Sequence, residues 1–258
     1  MEMTLRWYGP GYDSVTLKQI RQIPGVKNVI TTLFGKQAGE LWLPKEIAEL
    51  KKIVNDAGLG IAGIESVNVS DDIKIGTAKR DEHIDNYIKT LQALGEADIH
   101  MVCYNFMPVF DWTRTELARV RPDGSTVLAY NQDTVDMIDP EHMRESVEKM
   151  SNGFVMPGWE PERLDRLKEL FEMYRDVDAE KLFDNLVYFL EAIGPVCEKY
   201  DIKNLNGYSG QFPIGWVLNN ADDVKNIHKY ATDWIEGTNV SLKAVSYTHL
   251  RAHETRHD

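Results

Sequence analysis

Leu5-Arg6-Trp7-Tyr8-Gly9-Pro10-Gly11 opens the chain as a short strand candidate that runs into a strong breaker. The residues that follow alternate strand with helix, which leaves two architectures, an open doubly wound sheet or a closed barrel. The open sheet usually announces itself by a glycine-rich turn after the first strand, whose backbone N–H groups cradle phosphate. Pro10 removes one of those donors. The turn suits phosphate poorly, and the barrel is favoured.

Outward from that turn, the period of the apolar residues switches back and forth. A helix is expected over 15–23, capped by Ser14 and closed by Pro24-Gly25, and a strand over 26–33. Pro44 begins a helix that sets Ile47, Leu50, Ile53 and Val54 on one face and stops at Gly58. A third strand covers 60–69. Ile84, Tyr87, Ile88, Leu91 and Leu94 mark a helix ending at Gly95, and 99–106 is a nearly continuous apolar strand. Pro122-Asp123-Gly124 is a turn within a long polar insertion at about 107–156, of the kind that forms lids or subunit contacts. Helical periodicity returns over 161–174 and 179–200, the second helix capped by Asp178, and Ile202 begins a fifth strand. Strand and helix at this spacing imply parallel strands with right-handed crossovers. The expected fold is α/β, a TIM-type (β/α) barrel left incomplete at about five βα units, where a full barrel has eight.

A chain of 258 residues with 43% hydrophobic and 27% charged residues has an ordinary globular balance and enough length for a sizeable core. No apolar run is long enough to span a membrane, and the first residues do not read as a secretory signal. Cys103 and Cys197 are too few for a disulfide framework and suit a reducing compartment, so a cytoplasmic location is expected. A net charge of −12 disfavours nucleic acid and anionic membranes as partners. It leaves room for a small anionic substrate held by the local field of a pocket.

Reactive side chains of a (β/α) barrel gather at the carboxyl ends of its strands. Those ends offer Arg6 and Tyr8, Glu65 and Ser66, and Tyr104 and Asn105, with Asp111 and Arg114 just beyond. Cations, a carboxylate and neutral donors suit an acidic, polyhydroxylated molecule. Tyr8 and Tyr104 read equally well as core aromatics, and Asp111 and Arg114 as a solvated loop pair. Glu65 is harder to explain structurally, because an unpaired buried charge is costly.

The words around these residues are distinctive. Arg6-Trp7-Tyr8-Gly9-Pro10, Gly63-Ile64-Glu65-Ser66-Val67 and above all Val102-Cys103-Tyr104-Asn105-Phe106-Met107-Pro108-Val109-Phe110-Asp111-Trp112-Thr113-Arg114-Thr115 resemble the mannonate dehydratases. Tyr174-Arg175-Asp176-Val177-Asp178 and Gly194-Pro195-Val196 fit the same family, and the resemblance covers residues 1–203. It implies a metal-dependent hydro-lyase that converts D-mannonate to 2-dehydro-3-deoxy-D-gluconate in hexuronate breakdown, with Mn²⁺ or Fe²⁺ as cofactor. Arg6, Tyr8, Glu65, Tyr104, Asn105 and Arg114 would then shape the substrate pocket, with the general acid and base unassigned. D-mannonate is the implied partner, and a homo-oligomer is compatible with the reading. The alternatives are another barrel enzyme of the sugar isomerase or epimerase type, or a partial barrel without catalysis.

The chain departs from that family after Lys203. A His-Pro-Asp-Asp-Pro motif is expected there, and the sequence instead reads Asn204-Leu205-Asn206-Gly207-Tyr208-Ser209-Gly210. The family's Cys-Thr-Gly-Ser motif, second histidine and further aspartate have no counterparts either, so no metal ligands are expected in this chain, which reads as an inactive fragment. Gly207-Tyr208-Ser209-Gly210-Gln211 lacks the last glycine of a nucleophile elbow and reads as a turn. Asp222-Asp223 reads as a helix start and His228 as a surface residue. His249, His253 and His257 share a helical spacing of four. However, Val245-Ser246-Tyr247-Thr248-His249-Leu250-Arg251-Ala252-His253-Glu254-Thr255 resembles a translated sequencing adapter. The expected organisation is therefore barrel over 1–203, a divergent or foreign segment over 204–244, and an artefactual tail over 245–258.

Overall fold

A computed structural model of the chain describes residues 3–109, 115–129, 131, 133–134, 167–206 and 240–242. In chain order its elements begin β1 (Met3–Arg6), α1 (Leu17–Ile20), β2 (Val26–Thr31), α2 (Pro44–Asp56), β3 (Gly60–Asn68), α3 (Asp71–Ile75), α4 (Arg80–Glu96) and β4 (Met101–Asn105). They continue with β5 (Glu116–Val120), β6 (Thr126–Ala129), α5 (Leu167–Tyr174), α6 (Ala179–Lys199), β7 (Lys203–Asn206) and β8 (Val240–Leu242). Two compact units result, Met1–Phe106 with Asp178–Asp258, and Met107–Val177.

The first unit is built on a parallel sheet in the order β1-β2-β3-β4-β7-β8. Each strand lies beside its predecessor, so right-handed crossovers place every intervening helix on one face. α2 packs on α4 and β3, and α4 packs on α6, as that rule requires. The opposite face is the interior of a partial (β/α) barrel. The described sheet has six strands where about five βα units are expected, because β8 joins it from within the segment read as divergent or foreign.

Local chemistry fixes the element ends. α1 is capped by Thr16 rather than Ser14 and is shorter than 15–23. Gln19 N donates to Thr16 Oγ1 while Thr16 N donates to Gln19 Oε1, a reciprocal box. Val15 N is already committed to Asp13 Oδ1 at 2.8 Å, which holds residues 13–15 in a turn. On α2, Ile47, Leu50 and Val54 are buried, but Ile53 is exposed. Six residues after Ile47, at 3.6 per turn, it has rotated off the core face.

α2, α4 and α6 end alike. A left-handed residue follows each: Gly58 (φ 75°), Asp98 (φ 61°) and Asp201 (φ 50°). The next residue then donates back to the last turn: Leu59 N to Val54 O, Ile99 N to Leu94 O and Ile202 N to Cys197 O. Gly95 therefore does not end α4, which runs on to Glu96. A Cβ at Gly95 would lie 2.6 Å from Tyr200 Cβ, so close approach of α6 accounts for it.

The helix-side core is aromatic where β4 meets α6. Phe189 packs edge-on to Tyr87 at 5.0 Å between centroids and lies 5.9 Å from both Tyr104 and Phe106. The second unit holds an antiparallel hairpin, β5–β6, inside the stretch expected to be an insertion. Its turn is Arg121 to Ser125, with Arg121 N donating to Ser125 O at 2.8 Å and Asp123 Oδ1 accepting from Ser125 N.

Candidate functional site

Strand alternation sorts the expected site residues onto two faces. Tyr104 and Phe106 lie against Phe189 of α6, so they face the helices, and Val102 faces them too. Cys103 and Asn105 then point into the barrel. The register pairs Ile64 with Val102, Glu65 with Cys103, Val67 with Tyr104 and Asn68 with Asn105. Glu65 and Asn68 are accordingly interior residues. Between Glu65 and Val67 the register slips by one, with Ser66 the extra residue. Such a bulge re-aims a side chain. Ser66 joins the interior face beside Glu65, which simple alternation forbids.

Arg6 and Tyr8 share the interior face at the end of β1. The Arg6 guanidinium lies 4.8 Å over the Tyr8 ring, and its Nη1 donates to Trp7 O and Ile30 O at 3.3 and 3.4 Å. Tyr8 is 40% exposed, so it is not a core aromatic. The turn beyond it is closed on itself. Tyr8 N donates to Asp13 Oδ2 at 2.9 Å, and Tyr12 N and Asp13 N donate to Gly9 O. A Cβ on Gly9 would overlap the Phe34 ring. The amides of Tyr8, Tyr12 and Asp13 are thereby consumed internally.

Next along the row, Thr32 Oγ1 donates to Ser66 O at 2.8 Å and ties the end of β2 to β3. Asn105 Nδ2 donates to Ser66 Oγ at 2.6 Å, and Ser66 Oγ donates to Asn68 Oδ1 at 2.7 Å. Asn105 is 9% exposed and its Oδ1 has no partner among the described residues. The interior row is thus Arg6 and Tyr8, Thr32, Glu65, Ser66 and Asn68, then Asn105.

Tyr104 does not join it. Its side chain is fully buried on the helix side, burial pushes its phenol well above the usual tyrosine value, and its hydroxyl has no partner among the described residues. Tyr104, expected to shape the pocket, lies in the core on the helix side, because it is the strand neighbour of Asn105 and so falls on the opposite face. Asp111 and Arg114 lie outside the described residues, as do Gly207 to Gln211, Asp222-Asp223, His228 and the three tail histidines. Sequence reasoning missed Thr32 and Asn68. Asn68 had a signal, two residues beyond Ser66 at the end of a β-branched strand. Thr32 had none beyond its place after β2.

One other constellation combines serine, histidine and aspartate. His83 Nδ1 lies 2.6 Å from Ser70 Oγ and 3.5 Å from Asp72 Oδ2. Both partners meet the same ring nitrogen, so the imidazole cannot relay a proton from one to the other. Ser70 caps α3 by accepting from Asp72 N, and the cluster serves that cap.

A family model described as D-mannonate dehydratase (UxuA) matches residues 1–237. A mannonate dehydratase of Brachyspira hyodysenteriae is 66% identical over 203 residues, which are 79% of this chain and 57% of that protein. The mannonate dehydratase of Thermotoga maritima is 52% identical over 203 residues, 79% of this chain and 56% of that protein. The crystal structure of mannonate dehydratase from Streptococcus suis serotype 2 superposes with a TM-score of 0.66 at 39% identity, over 80% of this chain and 53% of that one. The chain spans about half the length of the curated relatives it matches. The family match continues past Lys203, where the quoted motifs stop.

Proposed function

The chain belongs to the D-mannonate dehydratase family, and on that premise we propose that it supplies the substrate-holding part of a lyase that dehydrates D-mannonate to 2-dehydro-3-deoxy-D-gluconate. The supporting observation is the interior row at the strand ends, a cation at Arg6, a carboxylate at Glu65 and amides and hydroxyls between Ser66 and Asn105. A six-carbon acid bearing hydroxyls needs those groups in that mixture.

The reaction removes the proton beside the substrate carboxylate and expels the neighbouring hydroxyl. Arg6 would hold the carboxylate by charge-assisted hydrogen bonds. Tyr8, lying under the guanidinium, would keep Arg6 aimed at it. Glu65 and Asn105 would accept hydrogen bonds from substrate hydroxyls and fix which carbon presents its proton. Arg114, which the resemblance adds to the substrate-binding residues, lies outside the described residues. Tyr104 would support β4 from behind. A positioned acid or base contributes roughly 10²–10⁴-fold.

Mn²⁺ or Fe²⁺ is the cofactor proposed for the whole enzyme, where a divalent ion would stabilise charge developing on the carboxylate side. The described residues do not fit such an ion. No group of three or more His, Cys, Asp or Glu side chains gathers among them, and Glu65 is the lone carboxylate of the interior row. The ion's ligands would come from the part of the fold that the relatives carry beyond the matched segment. Among the described residues no helix is long and apolar enough to cross a membrane, and a cytoplasmic enzyme of a small sugar acid suits the acidic chain.

The test is formation of the 2-keto product from D-mannonate, with and without Mn²⁺. The 258-residue chain is expected to give none. A version continued after Lys203 by a relative's second half is expected to turn over with metal, and Arg6→Ala in it to lose roughly 10²-fold in kcat/KM. Metal-dependent product from the 258-residue chain sinks the fragment reading. An inactive continued version sinks the dehydratase reading.

A further inference from the structure

We infer that Ser66, Asn68 and Asn105 form a clamp for one hydroxyl of a polyol chain, with Asn68 and Asn105 as the contacts and Ser66 as the residue that positions them. The inference rests on the sugar-acid reading above and narrows it to named contacts.

The argument is one of donor and acceptor counting. A serine hydroxyl has a single proton. Ser66 Oγ accepts from Asn105 Nδ2 at 2.6 Å, so its proton goes to Asn68 Oδ1 at 2.7 Å. A longer bond from Asn105 Nδ2 to Asn68 Oδ1, at 3.5 Å, runs the same way. The three side chains are thereby ordered head to tail, with the donor and acceptor ends of the chain on the two amides. What remains at the two ends is the exposed Nδ2 of Asn68, which faces solvent, and Oδ1 of Asn105, which meets no donor among the described residues. The two residues are register partners on adjacent strands and lie on the same interior face.

Burial makes the acceptor end demanding. Asn105 is more than nine-tenths buried, and a buried acceptor without a donor is costly. Asn68 at the other end is exposed, so the pair runs from a buried acceptor to a solvent-facing donor. A carboxylate could accept from Asn68 but would be repelled by Asn105 Oδ1. An ammonium or a metal cation would meet the reverse conflict. A hydroxyl satisfies both ends, accepting from Asn68 Nδ2 and donating to Asn105 Oδ1. The bulge at Ser66 is what brings the linking hydroxyl onto this face.

The test uses the full 258-residue chain labelled with ¹⁵N, reading the side-chain amide signals of Asn68 and Asn105 and the Nε–H signal of Arg6. D-mannonate, the uncharged polyol mannitol and propionate are added separately. Both amides are expected to shift with D-mannonate and with mannitol and to stay still with propionate. Asn68→Ala is expected to weaken mannitol binding roughly fivefold to tenfold. Ser66→Ala is expected to do the same and to collapse the fixed amide signals, with Ser66→Thr restoring them because it keeps the hydroxyl. If D-mannonate moves Arg6 and leaves both amides unmoved, the clamp is overturned while the sugar-acid reading survives. If mannitol moves the amides and D-mannonate moves nothing, the clamp stands and that reading falls. No response to either polyol means that the amides hold water only, which overturns the clamp.

Discussion

At the residue scale, two side chains carry measurable consequences. Tyr104 is a natural pocket candidate from its motif, but its phenol is buried on the helix side and its hydroxyl has no partner among the described residues. Deleting an unsatisfied polar atom removes a desolvation penalty. Tyr104→Phe is therefore expected to be as stable as the parent or more stable, by up to about 1–3 kcal/mol, in urea denaturation. A loss of stability would mean that the hydroxyl has a donor or acceptor after all. Glu46 behaves oppositely. The Leu43 amide and the Lys36 ammonium hold its carboxyl below the ordinary value of 4.5. A depressed carboxylate stabilises the fold above its unfolded value, and that contribution disappears as pH falls through the folded one. Glu46→Ala should lower the thermal midpoint at neutral pH, by no more than about 1 kcal/mol for a half-buried surface pair. The gap between parent and variant should close below the carboxylate range, and a gap that persists in acid would refute the electrostatic cause.

At the element scale, glycine and aspartate exchange the roles that sequence suggests for them. Gly95 looks like a helix stop, yet α4 continues past it and turns at Asp98. The glycine is there because α6 arrives at Tyr200. Helix propensity favours Gly95→Ala by about 1 kcal/mol, while the added methyl meets Tyr200 and overpacking costs about 1–3 kcal/mol. Packing should win, and Gly95→Ala should lower the denaturation midpoint. A midpoint that rises would show that α4 and α6 can part at no cost. The strand β3 carries the same lesson. Its sequence announces a strand and a carboxylate, but only pairing with β4 reveals that Ser66 is a bulge and that Glu65, Ser66 and Asn68 share a face.

At the scale of the whole molecule, β1 is paired on one side only among the described residues, and Met3 and Leu5 are exposed on it. An unpaired edge with apolar side chains is a template for other strands. Self-association should therefore be visible by sedimentation velocity at raised concentration, and Met3→Lys with Leu5→Lys should reduce it. Sedimentation unchanged by the lysines would place the contact elsewhere. The sequence alone determined the class of this protein. Alternating apolar periods are local and survive without knowledge of neighbours, so the parallel strands, their helices and the barrel were legible, and so were Asp178 as a cap and Pro44 as a helix start. The interior placement of Arg6, Glu65 and Asn105 followed from strand ends. Only the tertiary structure decided the rest. It put Tyr104 in the core, Ser66 and Asn68 in the site, and Gly95 beneath Tyr200. Each of these depends on which strand or helix comes alongside, a relation between residues far apart in the chain. Local propensity carries no trace of it.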